Sequence, residues 1–499
     1  MFAQTWRNHW GLTEDPFAHE DADKDPVLAR VDSQAVHSAF DRVFGHPSTP
    51  GPAIIFGEKG SGKSGLRLSI QRRIAAHNEA NPDARIFDVE YSEFDRFLEG
   101  FRHNARLSAD IRRSGGELVS RFGLADHLDC ILSAGTTELV DNVLGSKKKP
   151  KGLGRKQKLD LLVLSSIYYL SPEQGTLDTT KRLRTALRYG SSSRGLRTFF
   201  TFAAALVGIA VALVPIWNQL EIGPTFEHGK DGLWYGLGAG IIAIAGLFSL
   251  WNSSHCRKLA TKAIRSVRVL QRDPTALVQT LDSVSRRARE EIVLPVANNE
   301  ATRFDLLQRF VALLKSLGYQ GVYVLVDRVD ESTLLGGKED LTRTFIETML
   351  DHKLLQHPGL ALKLFLPVEL SKMYLGASPE ELKRMRLDKS NTVQELRWTG
   401  QELYEVANQR LRAAGANTPD LAAFLGDGLD DEALREALHE LGTPRHAFGF
   451  LSALFSEYAR NLPEQLDEDA SEWRVPRAHF DLVRSQWGDR ARVLRRALN

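Results

Sequence analysis

The octapeptide Gly57-Glu58-Lys59-Gly60-Ser61-Gly62-Lys63-Ser64 constrains the chain more than any other stretch, because it satisfies GxxxxGK[ST] directly after the apolar run Ala53-Ile54-Ile55-Phe56. The pattern predicts a phosphate-binding loop. A buried strand should end at Phe56, glycines should let backbone N–H groups converge on an anion, and a helix running to about Ala75 should begin near Ser64, with Gly65 in its first turn. Residues Gly57 to Gly65 are therefore the predicted nucleotide-binding set. Lys63 is expected to reach the β- and γ-phosphates, and the Ser64 hydroxyl to be a ligand for Mg²⁺, a hard cation often shared with substrate phosphates.

The acidic counterpart lies far downstream. Gly321-Val322-Tyr323-Val324-Leu325-Val326-Asp327 reads as a buried strand, and Arg328-Val329-Asp330-Glu331 follows it. Asp327 is expected to hold Mg²⁺ directly or through water. Glu331, or Asp330 next to it, is expected to orient or deprotonate the attacking water. Further strands are predicted at Arg85–Tyr91, at Leu360–Val368 ending near the sensor candidate Glu369, and at Val393–Trp398. Strands alternating with helices predict an α/β fold on a parallel sheet.

About 250 residues separate loop and acids, and they contain two stretches without a charge: Phe199 to Leu220, 22 residues, and Leu233 to Trp251, 19 residues. At about 1.5 Å per residue each can cross a hydrocarbon core of about 30 Å. Trp217, Trp234, Tyr235 and Trp251 lie near the ends, and Gly208, Gly236, Gly238, Gly240 and Gly246 should allow close helix approach. Lys181, Arg182, Arg184, Arg188, Arg194 and Arg197 precede the first stretch and Arg257, Lys258, Lys262 and Arg265 follow the second, whereas the connector Glu221–Gly232 is acidic. The expected topology is a two-span hairpin in the cytoplasmic membrane with both termini in the cytoplasm. No ionisable residue interrupts either stretch, so anchoring is a simpler role than conduction.

The remaining composition excludes more than it specifies. A net charge of +2 does not mark a bulk nucleic-acid binder, and two distant cysteines, Cys130 and Cys256, argue against a disulfide scaffold or a structural zinc. The start, Met1 to Trp10, carries no apolar core of a cleavable signal. Basic residues crowd Lys147–Lys158, which suits an anionic partner such as lipid headgroups or nucleic acid, and equally a solvated charge run. The turn Asp15-Pro16-Phe17 and Val31 are adenine-side candidates as well as core candidates, and a helical pattern near Ser33–Phe44 places Val36, Phe40 and Val43 on one face. Leu159–Leu170 is expected to be a core helix, and residues from about Thr399 a mostly helical lid.

A loop at Gly57–Ser64 and an acidic strand at Val322–Glu331, separated by a two-span hairpin, resemble the KAP family of membrane-associated P-loop NTPases. KAP members usually carry two adjacent acids where Asp327 is followed by Arg328. The spacing Asp327-x-x-Asp330-Glu331 is instead similar to NACHT and other STAND ATPases, which tend to have glycine at the Arg328 position. The resemblance implies a P-loop sheet of the additional-strand type, interrupted by the hairpin and followed by a helical lid. In that lid Arg445, in Gly442-Thr443-Pro444-Arg445, resembles the arginine that contacts the γ-phosphate. Arg384 and Arg386 fit an arginine finger on a neighbouring copy in a homo-oligomer, or surface salt bridges.

The expected organisation is an N-terminal segment packed on the NTPase core (1–50), a first half of that core (51–145), a basic juxtamembrane segment (146–198), the hairpin (199–251), a charged helical stalk (252–300), the second half of the core (301–398) and the lid (399–499). The expected function is that of an ATP hydrolase anchored in the membrane. The alternative is a STAND-type switch with little turnover.

Overall fold

The computed structural model describes residues 4–19, 21–31, 37–105, 107–146, 152–170, 175–190, 192–219, 231–375, 391–418, 420–463, 466–467 and 469–497. The expectations for Val36, for Lys147–Lys151, for most of the Glu221–Gly232 connector and for Arg384 and Arg386 lie outside them. The chain forms two compact units, Met1–Phe94 with Gly318–Asn499, and Asp95–Leu317. Residues 95–145, expected to belong with the sheet, thus cluster with the second, helical unit.

The first unit is built on five parallel strands, β1 Ala53–Gly57, β2 Arg85–Tyr91, β3 Tyr319–Val326, β4 Leu360–Pro367 and β5 Asn391–Val393, in the spatial order β2-β3-β4-β1-β5. The central strands are apolar without alternation because both their faces are covered. Leu66, Ile70 and Ile74 of the helix Lys63–Ala80 pack with Phe40, Val43 and Phe44 on one face. Phe94 and Phe345 meet edge to face, with ring centroids 5.5 Å apart.

The predicted strand Val393–Trp398 is shorter than expected. Only Asn391–Val393 pairs with β1; the Leu396 N–H still donates to the Phe56 carbonyl at 2.7 Å, after which the chain leaves the sheet edge toward the C-terminal helices. In β4, Lys363 is fully buried, and its ammonium donates to the carbonyls of Val43 (2.6 Å), Phe44 (3.2 Å) and Gly51 (2.8 Å). Burial pushes its pKa down to about 7.

The helices Gly400–Ala413, Asp431–Leu441, Pro444–Arg460 and Arg477–Ala497 form a second core in this unit. Pro444 stands at the first position of its helix, and the Thr443 side chain accepts the His446 N–H. Trp6, Trp10 and Phe17 belong to this helical core and not to the sheet core. Trp6 stacks on Phe455 at 5.3 Å and lies 5.4 Å from Phe424. The early segment therefore divides, its aromatic start joining the C-terminal helices and only Phe40, Val43 and Phe44 joining the sheet. An indole marks a buried position but not which of two apolar faces will cover it.

The second unit is helical. Leu124–Gly145, Arg155–Tyr168 and Glu300–Ser316 enclose a fully buried ion pair, Arg303 Nη2 to Asp129 Oδ2 at 3.1 Å, with the Tyr168 hydroxyl donating to Asp129 at 2.7 Å. Two helices, Ser192–Gln219 and Asp231–Ser266, are long and apolar enough to cross a membrane. Their apolar windows are only 17% and 6% buried, so neither window lies in the core of this unit. They pack on each other where Gly208 meets Gly238 and Ile242; a Cβ on Gly208 would lie 2.8 Å from the Gly238 carbonyl. A Cβ on Gly236, Gly240 or Gly246, all expected at this contact, would meet no atom of the partner helix within 4 Å. A glycine at helical spacing serves a close crossing only where the partner axis comes nearest.

Candidate functional site

β1 delivers the chain into the loop at Gly57, and the backbone then takes two left-handed turns, at Gly60 (φ 89°) and Gly62 (φ 91°). Both positions require glycine, since a Cβ on Gly60 would lie 2.7 Å from the Arg445 side chain as well as being strained. The helix begins at Lys63, so its first, unbonded N–H groups open at the loop. Lys63 is buried, and its ammonium donates to the carbonyls of Gly57 (2.7 Å) and Glu58 (3.1 Å). Burial lowers its pKa, while Asp330, Asp327 and Glu369 act in the opposite direction. The carboxylates from β3, the loop after it and the end of β4 thus converge electrostatically on one lysine.

Asp327 follows β3 and is almost completely buried. Burial raises its pKa, and the Ser64 hydroxyl, Arg67 and the Arg328 N–H oppose the rise. One carboxylate oxygen accepts Arg67 Nε at 3.1 Å, and the other accepts the Arg328 N–H at 2.9 Å. Arg328 sits at φ 63°, a left-handed conformation that favours glycine, which gives a physical reason for glycine at this position in similar motifs. Its guanidinium binds Asp21 at 3.0 Å, and also Asp23, and lies 3.6 Å from Glu331. Glu331 is exposed and Asp330 half-buried, and both line the same cavity as Lys63.

That cavity has a volume of about 740 Å³, within the range of small-molecule sites. Its lining includes the polar residues Lys63, Ser64, Asp327 and Arg445 and the apolar Phe17 and Val31. Phe17 stacks on Phe448 at 5.8 Å, Arg410 lies over the Phe448 ring at 4.7 Å, and Arg410 Nε donates to the Pro16 carbonyl at 2.6 Å. Asp15 does not line the cavity; it accepts the Phe17 N–H at 3.0 Å and so holds the turn. The C-terminal helices touch the loop directly. The Arg445 N–H donates to the Gly60 carbonyl at 3.3 Å, and Trp398 Nε1 donates to the Ser61 carbonyl at 2.7 Å.

Sequence reasoning named Asp327 but missed Arg67 and its other partners, Asp23 and Glu90. This arginine is fully buried and binds Asp327, Asp23 and Glu90, the last at 3.1 Å. Its signal was its place one turn after Ser64, on the face that a loop-following helix turns toward the sheet. Asp21 and Asp23 gave no such signal, because their approach to Asp327 depends on the path of the N-terminal segment.

Ser64 and Asp327 place two hard oxygen donors side by side, the donor type that a hard divalent cation takes. Among the described residues no group of three or more His, Cys, Asp or Glu is arranged to hold a metal. Comparisons with protein-family models, with curated proteins and with solved structures find no match for this chain.

Proposed function

We propose that the chain is a membrane-anchored P-loop ATPase of KAP-like architecture, which couples Mg-ATP binding and hydrolysis to a conformational change or to assembly at the cytoplasmic face of the membrane. The observation that carries this reading is the convergence of Lys63, Ser64 and Asp327 in one cavity although about 260 residues separate the loop from the acid. Strand order supports it as well: β4 lies between the loop strand β1 and the acidic strand β3, the arrangement expected of the additional-strand type.

In this reading the loop N–H groups and Lys63 bind the phosphates of ATP, the substrate. Ser64 and Asp327 would hold Mg²⁺, which would supply positive charge to offset that of the phosphates. Asp330 or Glu331 orients the attacking water, and Arg445 faces the γ-phosphate from the lid. The base lies toward Phe17, Val31 and Phe448, where the Arg410 guanidinium covers the Phe448 ring. Residues 199–251 anchor the chain in the bilayer.

The contacts of Arg445 and Trp398 with the loop favour a second reading, a STAND-type switch in which bound nucleotide sets the lid position and turnover matters little. The test of both is Mg-ATP binding, steady-state turnover and particle size of the detergent-solubilised chain, with Lys63→Ala beside it. Binding that Lys63→Ala leaves intact sinks the nucleotide site. Binding with nucleotide-dependent size but negligible turnover selects the switch.

A further inference from the structure

The second unit carries a cavity of about 880 Å³ that the nucleotide reading does not use. Six cations line it: Arg121, Arg257, Lys258, Lys262, Arg265 and Arg268. No Asp or Glu is among its described lining residues. Asp126 takes Arg268, whose Nε donates to it at 3.0 Å, and the charge of Asp273 acts on Arg257. Lys258, Lys262 and Arg265 are exposed and make no ion pair among the described residues.

The sequence produces this arrangement by helical spacing. Ser254, Arg257, Lys258, Thr261, Lys262 and Arg265 recur at three- and four-residue intervals, which sets them on one face of the helix Asp231–Ser266. Like charges at this spacing repel, and a concave wall of one sign concentrates its field in the cavity. An anion in the cavity relieves that repulsion, and the hydroxyls of Ser254 and Thr261 with the amides of Asn104 and Asn298 supply neutral donors beside the cations. The same helix carries the apolar stretch ending at Trp251, and Arg257 and Arg265 follow that residue by about 9 and 21 Å along the axis. Solvated positive charges that only set membrane orientation need neither a cavity nor neutral donors around it.

The geometry points to a binding site for a ligand with clustered phosphate groups, either the headgroup of a polyanionic lipid or a soluble polyphosphate of the same chemistry. A single phosphate is too small to engage cations spread over about 12 Å, just over two turns of helix. The inference does not depend on the nucleotide reading; only the lipid source depends on the hairpin lying in a bilayer.

The test uses the full chain in phosphatidylcholine nanodiscs. The probes are inositol 1,4,5-trisphosphate in solution and phosphatidylinositol 4,5-bisphosphate at a few per cent of the lipid. Wild-type protein should bind at least one probe, more weakly at higher salt. Changing Lys258, Lys262 and Arg265 together to Ser should weaken binding about tenfold or more. A control triple with the same charge change away from the cavity, Lys315→Ser, Lys181→Ser and Arg287→Ser, should stay within about twofold, as should Lys63→Ala. Preference for the lipid over the free headgroup identifies a membrane source, and equal binding a soluble one. Wild-type protein that binds neither probe, a control triple as damaging as the cavity triple, or loss of probe binding in Lys63→Ala overturns the proposal.

Discussion

The two cavities of this protein are similar in size and opposite in electrical design. The one beneath the glycine loop mixes Lys63 and Arg445 with Asp327, Asp330 and Glu331, whereas among the described residues the charged lining of the one beside the long helix is cationic throughout. Both can accept an anion, but only the first can hold an anion and a hard cation together. A carboxylate beside a phosphate repels it unless a metal lies between them, which is why the proposed nucleotide reading of the loop site includes Mg²⁺. The second site lacks such groups and needs no ion to complete it. Burial differs in the same way. Lys63, Arg67 and Asp327 are buried and held by defined partners, while Lys258, Lys262 and Arg265 reach into water.

The sharpest way to break this comparison is at Lys63. Lys63→Ala should reduce Mg-ATP affinity and turnover by about 100-fold or more, because a buried charge-assisted contact to phosphate is lost. Asp327→Asn comes next. It should weaken ATP binding about 30-fold in Mg²⁺ while leaving metal-free binding within about threefold, which equilibrium titrations with and without EDTA will read; equal losses in both conditions would show that the acid acts only as a structural partner of Arg67.

Lys363→Met tests whether a buried lysine can be structural without belonging to either cavity. It removes the donor to three carbonyls and should lower stability by about 1–3 kcal/mol in chemical denaturation. Its folded-state pKa of about 7 lies below the ordinary lysine value, so the unfolded chain binds the extra proton. The contribution of Lys363 is therefore fully present above the unfolded lysine pKa and is lost as pH falls toward 7. Wild-type stability should accordingly rise relative to Lys363→Met as pH increases from about 7 to 10.

The smallest effect concerns the lid. Thr399 and Glu402 cap the helix Gly400–Ala413 reciprocally, with the Glu402 N–H donating to Thr399 Oγ1 at 3.2 Å and the Thr399 N–H donating to Glu402 Oε2 at 2.8 Å. Thr399→Ala should cost about 1 kcal/mol, seen in thermal unfolding, without changing probe binding at the basic cavity.

Much of this was legible along the chain because the signals are local. GxxxxGK[ST] after an apolar run marks a strand, a loop and a helix start; β2 was bounded correctly from Arg85 to Tyr91; and Thr443-Pro444 announced its helix. The length and apolarity of Ser192–Gln219 and Asp231–Ser266 need only composition. Errors arose where a distant partner decides. Trp6 and Trp10 could cover either apolar core, Val393–Trp398 could pair fully only while the sheet edge continued, and Gly236 and Gly240 could serve a crossing that in fact lies at Gly208 and Gly238.

By itself the sequence determined where a strand, a glycine loop and a helix start follow one another and which two stretches are long and apolar enough to cross a membrane, since both follow from covalent chemistry and spacing within a few turns. Only the tertiary structure decided that Arg67 is held among Asp23, Glu90 and Asp327, that Phe17 faces the same cavity as Lys63, and that six cations surround one hollow. Burial and electrostatic pairing depend on separations in space, and folding sets those separations between residues that the chain order leaves far apart.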